Sequence, residues 1–103
     1  MLDFDRIIGF DWDSGNSRKS ELKHSVTQGE AEEVFFNTPL LINLDERHSN
    51  DERRFLALGA TNNERVLAVI FTLRQEETLI RVISARDQHR RERSVYEQAR
   101  QKK

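Results

Sequence analysis

Apolar residues come in short blocks along this chain, and their spacing changes from block to block. Ile7 to Trp12 predicts a short strand or edge segment, ended by the cap and turn residues Asp13-Ser14-Gly15-Asn16. Ser17 to His24 has helix length but is almost wholly polar, with Leu22 as its only apolar anchor. The next helix is better signalled. Thr27 and Glu30 form a capping box, Val26 and Ala31 occupy the staple positions, and Ala31, Val34 and Phe35 mark a buried stripe that stops near Asn37-Thr38-Pro39.

Leu40 to Leu44 predicts a short strand, followed by a charged loop from Asp45 to Glu52. Arg54 to Gly59 and Val66 to Thr72 form a hairpin across the Asn-rich turn 60–65. Val66 to Phe71 is apolar without alternation, so both of its faces are covered and it is the central strand. Leu79 to Ser84 is a further strand after the turn 74–77, and Gln88 to Gln101 is the last helix. The order β-α-α-β-β-β-β-α predicts an α+β fold: an antiparallel sheet of four to five strands, two N-terminal helices and one C-terminal helix. Residues 1–103 make one domain, with 98–103 expected to fray.

Composition narrows the chemistry. Of 103 residues 36% are apolar and 34% charged, so the core is thin and the surface strongly ionised. The absence of cysteine excludes disulfides, thiolate catalysis and cysteine-ligated zinc. No apolar run approaches the ~20 residues that span a bilayer, and acids stand at the N-terminus where a signal peptide would be basic. A cytoplasmic protein is the expectation. No Gly-rich phosphate loop and no Gly-x-Ser-x-Gly elbow is present.

The net charge of −1 hides a polarity. Residues 1–52 hold 12 Asp and Glu against 5 Lys and Arg, about −7, whereas residues 53–103 hold 6 against 12, about +6. In the basic half, His89, Arg93, Tyr96 and Arg100 recur at helical spacing and share one face. Arg81 and Arg86 lie on the strand and turn before them, and Arg90 and Arg91 add to the field. Guanidinium groups bind phosphate bidentately and stabilise the charge of a phosphoryl transition state, while a His or Tyr moves protons. The same residues also make ordinary helix-surface ion pairs. Arg18, Lys19, Lys23 and His24 form a second basic group, which fits a phosphate contact and a solvated helix equally well. Trp12 is a base-stacking platform or a core residue. The loop bearing His48 has no second histidine at a ligand interval, so no metal or other cofactor is expected.

Several blocks taken together, Phe10-Asp11-Trp12-Asp13, Lys23-His24-x-Val26, Ala31 to Phe35, Asp45-Glu46-Arg47-His48, Glu52 to Gly59 and Arg81-x-Ile83-Ser84-Ala85-Arg86 with Arg90-Arg91-Glu92-Arg93-x-x-Tyr96, resemble the BrnT family of bacterial toxins in order and spacing. The resemblance runs from Phe10 to Glu97. It implies a small RelE-like ribonuclease that arrests growth by attacking RNA and is silenced by a BrnA-type antitoxin. Such antitoxins resemble ribbon-helix-helix DNA-binding proteins, so the resemblance also implies a heterotetramer that reaches operator DNA through the antitoxin. Three positions depart from the family's habit: Asn16 replaces a lysine, Ser20 an asparagine and Ser25 a glycine. The pI near 6.3 is low for a ribonuclease toxin.

The expected reaction is attack by the ribose 2′-hydroxyl on its own phosphate, without a metal. Arg81 and Arg86 are the expected phosphate and transition-state binders. Tyr96 or His89 is the expected proton carrier, with His24 and His48 behind them. Trp12, Arg18, Lys19, Lys23, His24, Arg90, Arg91 and Arg93 are the expected RNA contacts. The alternative is a non-catalytic module that keeps the fold and the antitoxin interface.

Overall fold

The computed structural model describes residues 2–49 and 51–102. The element order is β1 (Gly9–Phe10), α1 (Lys19–His24), α2 (Gln28–Glu33), β2 (Leu41–Leu44), β3 (Phe55–Ala60), β4 (Val66–Arg74), β5 (Leu79–Asp87) and α3 (Arg90–Gln101), with single 3-10 turns at Phe4–Arg6, Val34–Phe36 and Glu46–His48. Among the described residues the five strands form one sheet in the order β1-β5-β4-β3-β2, so β4 is central as its unbroken apolar run predicts. No helix among them is long and apolar enough to cross a membrane.

The expectation of a purely antiparallel sheet is corrected at one edge. β2 to β5 make an antiparallel meander, but β1 pairs with β5 in parallel, Gly9 opposite Leu79 and Phe10 opposite Ile80. Two helices separate β1 from the meander, so no hairpin fixes its direction, and it joins the far side of the last strand. Both hairpin strands and β5 run further than their apolar cores, to Ala60, Arg74 and Asp87. The C-terminal helix continues to Gln101, four residues into the tail expected to fray.

Strand alternation sorts the core into two clusters. Ala57, Leu67, Val69, Phe71, Ile80, Val82 and Ala85 pack on one face with Val26, Ala31 and Val34 from the α2 region. Leu58, Ala60 and Ala68 pack on the other with Tyr96 of α3. The capping box forms as read: the Glu30 N–H donates to Thr27 Oγ1, and the Thr27 N–H to Glu30 Oε1. Where Val34 crosses β3, a Cβ added at Gly59 would stand 2.6 Å from Val34 Cγ1, so this close helix-to-strand approach requires glycine.

The three departures from family habit each meet a local structural role. Asn16 is buried; its amide donates to the carbonyls of Asp11 and Val82 and its Oδ1 accepts from the Asp13 N–H. Ser20 Oγ accepts from the Ala85 N–H at 2.7 Å, on the part of β5 beyond its pairing with β1. Ser25 ends α1 in the left-handed region with φ 57°. That conformation costs a side chain roughly 1–2 kcal/mol and costs glycine nothing sterically. Ser25→Gly is therefore expected to raise stability by about 0.5–1 kcal/mol after the extra chain entropy of glycine, measured as a higher urea midpoint at unchanged slope.

The opposed charges of the two halves meet in the fold. Arg65 reaches across to the first half, pairing with Glu30 at 3.2 Å and donating to the Ser25 carbonyl, and it also pairs with Asp87 of its own half at 2.7 Å. Its acidic partners hold its guanidinium pKa above the ordinary value, the Asp87 hydrogen bond contributing most. Arg74 pairs with Glu52, and Arg81 with Asp11 and Asp13. Much of the charge asymmetry is thus spent joining the first half of the chain to the second.

Candidate active site on the open face of the sheet

Helix α3 covers only one end of its face of the sheet. Beyond it lies a groove of about 430 Å³, with Leu56 and Ile70 half-buried in its floor and Asn43, Asp45, Arg47 and Arg86 in its lining. Both sequence-predicted arginines of β5 belong to this face, and a β-bulge puts them there. Arg81 and Arg86 are five residues apart, an odd interval that in a regular strand sends side chains to opposite faces. Between Ile70 and Phe71 the register with β5 jumps from Ser84 to Val82, leaving Ile83 as an extra residue. The insertion reverses the parity, so Arg86 opposite Ala68 and Arg81 opposite Thr72 lie on one side.

Each of these arginines is held by carboxylates. Arg86 makes a two-pronged contact with Glu92, at 2.8 and 3.0 Å, and a third bond to the Asp87 carbonyl. Glu92 Oε1 also accepts the His89 N–H at 2.8 Å, so one carboxylate orients the guanidinium and caps α3. The hydrogen bond from Arg86 is the main reason that Glu92 stays ionised below its ordinary range, and burial opposes it. Arg81 donates to both carboxylate oxygens of Asp13, at 3.0 and 3.1 Å, with Asp11 at 3.5 Å. The Arg81 hydrogen bond lowers the Asp13 pKa, and the Gly15 N–H adds to it.

These lowered carboxylates set a sign for pH dependence. Because the folded values lie below the unfolded ones, the unfolded chain binds more protons in the interval between them. The contribution of the pairs is complete above the ordinary carboxylate range near pH 4 and is lost as pH falls through the folded values. Glu92→Gln is expected to flatten the acid side of the stability-pH curve, read as urea midpoints from pH 7 down to 3.

The helical face of His89, Arg93, Tyr96 and Arg100 is corrected by burial. Periodicity aligns these residues, but burial divides them: Tyr96 is 0% exposed and Arg100 half-buried, whereas His89 and Arg93 are exposed. Its hydroxyl donates to the Pro39 carbonyl at 2.7 Å, and burial raises its pKa above that of a free phenol. Arg100 lies 5.3 Å from the centre of the Tyr96 ring and pairs with Glu64 and Glu97. Arg93 donates to the Gln88 carbonyl. His89 stands exposed at the N-cap, beside the Arg86–Glu92 pair.

The remaining predicted residues are dispersed. Trp12 packs against the core on the opposite face, with its Nε1–H donating to Glu32 at 2.6 Å, which makes it a core residue. Arg18, at the N-cap of α1, and Lys19 and Lys23 within it are exposed, and His24 is half-buried with its carbonyl accepting from Arg65. Arg90 and Arg91 are exposed on the first turn of α3. The His48 side chain lies outside what the structure describes. Sequence reasoning named Glu92 only as one of several helix-surface ion-pair partners of the arginines, and it missed Asp11 and Asp13 as partners of Arg81, and Arg47 in the groove. The alternation Phe10-Asp11-Trp12-Asp13 carried a signal for Asp11 and Asp13, since it directs both acids away from the core face.

A family model described as the ribonuclease toxin BrnT of type II toxin–antitoxin systems matches residues 12–92. The chain belongs to the BrnT family. The matched span takes in Asp13, both β5 arginines and Glu92, and the family's type II character entails an RNA target and an antitoxin partner. No curated protein matches the chain in sequence.

Proposed function

We propose that the chain is a metal-independent endoribonuclease toxin with its site on the open face of the sheet. The observation that carries this reading is the rim of the groove, where Arg86 is fixed by Glu92 and His89 begins the next helix on the same carboxylate. A guanidinium for the phosphate and an imidazole for protons stand side by side there. The 2′-oxygen bonds to phosphorus as the bond from phosphorus to the 5′-oxygen breaks. The 2′-hydroxyl proton passes to a base, the 5′-oxygen gains a proton, and the products are a cyclic phosphate end and a 5′-hydroxyl end. His89 is the proton carrier in this scheme, because the Tyr96 hydroxyl is sealed in the core. Arg81 binds backbone further along the face, and Arg90, Arg91, Arg93, Lys19 and Lys23 supply the attracting field.

The same reading takes the fold as RelE-like, supported by the order of two helices, a strand meander and a C-terminal helix. It places the protein in the cytoplasm, silenced by a BrnA-like ribbon-helix-helix antitoxin in a heterotetramer that contacts operator DNA through the antitoxin. Family membership supports this partnership.

One observation favours a non-catalytic module instead: both β5 arginines already hold carboxylates. Induced expression separates the readings. Growth arrest, together with RNA cut by the purified protein in EDTA to cyclic phosphate ends, supports the enzyme. Harmless expression and intact RNA reject it.

A further inference from the structure

Among the described residues, one buried side-chain donor on the open face has no partner. Arg54 is half-buried, and its Nε is buried with no hydrogen bond. It stands one residue before β3, and continuing the strand's alternation two residues back from Leu56 of the groove floor puts it on the same face. One step beyond the Phe55–Phe71 pair, it falls opposite Thr72, whose other neighbour is Arg81. Arg54 and Arg81 thus flank Thr72 about two strand spacings, or ~10 Å, apart.

The two arginines differ in their engagement. Arg81 turns toward β1 and is bound on both terminal nitrogens by Asp13. Arg54 has no ion pair and no side-chain hydrogen bond among the described residues, although Glu52 is close enough to feel its charge. Its backbone, in contrast, is firmly fixed. The Asp45 N–H donates to its carbonyl at 2.7 Å and its own N–H donates to Ser49 Oγ at 2.9 Å. These bonds tie it to the loop that supplies Asp45, Glu46 and Arg47 to the groove wall. A buried donor with its hydrogen bond unmade is a standing cost, and each such exception in a native fold calls for an explanation, of which an absent bound group is one.

We propose that Arg54 is a phosphate-binding residue of this site, gripping the backbone of a single RNA strand laid across the open face beside Arg86. The proposal rests on the ribonuclease reading and extends it to a residue outside the last strand and helix. A base of the single strand rests on Leu56 and Ile70, and the Arg54 fork takes an adjacent phosphate. A duplex would offer neither an unstacked base nor a free edge to that floor.

The test measures binding of a 2′-O-methyl single-stranded RNA, which lacks the attacking hydroxyl, across a salt series, alongside cleavage of the unmodified strand. Arg54→Gln is expected to lower the slope of log affinity against log salt by about 0.7, the share of one single-strand phosphate contact. It is also expected to slow cleavage roughly 10²-fold. Arg53→Gln removes the same charge from the exposed neighbouring position and is expected to leave the slope within error of wild type. Arg54→Lys keeps the charge and the fold and is expected to retain the slope while losing at least about ten-fold in cleavage, because the fork is gone. Equal effects of the Arg53 and Arg54 glutamine variants on the slope, or cleavage at the wild-type rate in both Arg54 variants, overturn the proposal. So does a wild-type protein that does not bind the strand. If wild type binds with the expected slope and Arg54→Gln reduces it, yet nothing is cleaved, the Arg54 contact stands and the catalytic reading falls. Loss of antitoxin binding in Arg54→Gln with RNA binding intact assigns the residue to the protein partner and overturns the proposal as well.

Discussion

Arg86→Ala is expected to slow RNA cleavage by roughly 10²–10³-fold, the usual cost of removing one preorganised donor from a developing oxyanion. The guanidinium lines the groove and is oriented by two bonds to Glu92 and one to the Asp87 carbonyl, so it needs little rearrangement to meet a phosphate. Arg86→Lys is expected to recover little, because a point charge does not replace a planar fork. Removing Arg86 also leaves Glu92, partly buried at 19% side-chain exposure, without its counter-ion. The double variant Arg86→Ala with Glu92→Gln removes that complication. Single-turnover cleavage in both, beside thermal midpoints, separates lost chemistry from lost stability. Wild-type rates in the double variant would remove Arg86 from the site.

Tyr96→Ala is expected to cost about 3–5 kcal/mol, the range for deleting a fully buried aromatic ring. Set against a typical total of roughly 5–15 kcal/mol for a small domain, that loss leaves the protein close to unfolding at 37 °C. Tyr96 is the central residue that α3 contributes to the second core cluster, and its ring also seats the Arg100 guanidinium. Tyr96→Phe removes only the hydroxyl and is expected to cost about 1–3 kcal/mol, because the part-buried Pro39 carbonyl then loses its donor. Urea midpoints check both values. The contrast also tests chemistry: a structural tyrosine predicts wild-type cleavage per folded molecule in Tyr96→Phe, whereas a proton carrier predicts loss without a matching change in stability.

What the sequence made legible depended on the range of the interaction. The Thr27–Glu30 capping box is local, and the residues that signal it are the residues that form it. The unbroken run in β4 signalled a strand covered on both faces; it is central, but Ile70 stands half-buried in the open groove. The direction of β1 was not legible, because it is fixed by pairing with a strand seventy positions away in the numbering, Gly9 with Leu79. Helical spacing aligned Tyr96 with His89 and Arg93 but carried no information on what would lie over them. The arginines of β5 were found by type, yet their common face was hidden by an odd interval that a single inserted residue, Ile83, reverses. Arg54 had no signal beyond alternation with Leu56, since it sits beside a second arginine in a charged run.

The parallel contact between β1 and β5 imposes an order on synthesis. The partner of the first strand is the last strand, so an emerging chain has no seat for Gly9 and Phe10 until residues 79 and 80 have been made. The carboxylates that hold Arg81 precede it by almost seventy positions, and the one that holds Arg86 follows it by six. On the proposed reading, the RNA-cutting face cannot be assembled on a partial chain. On that reading, the Arg86 guanidinium is not oriented until Glu92 has been made.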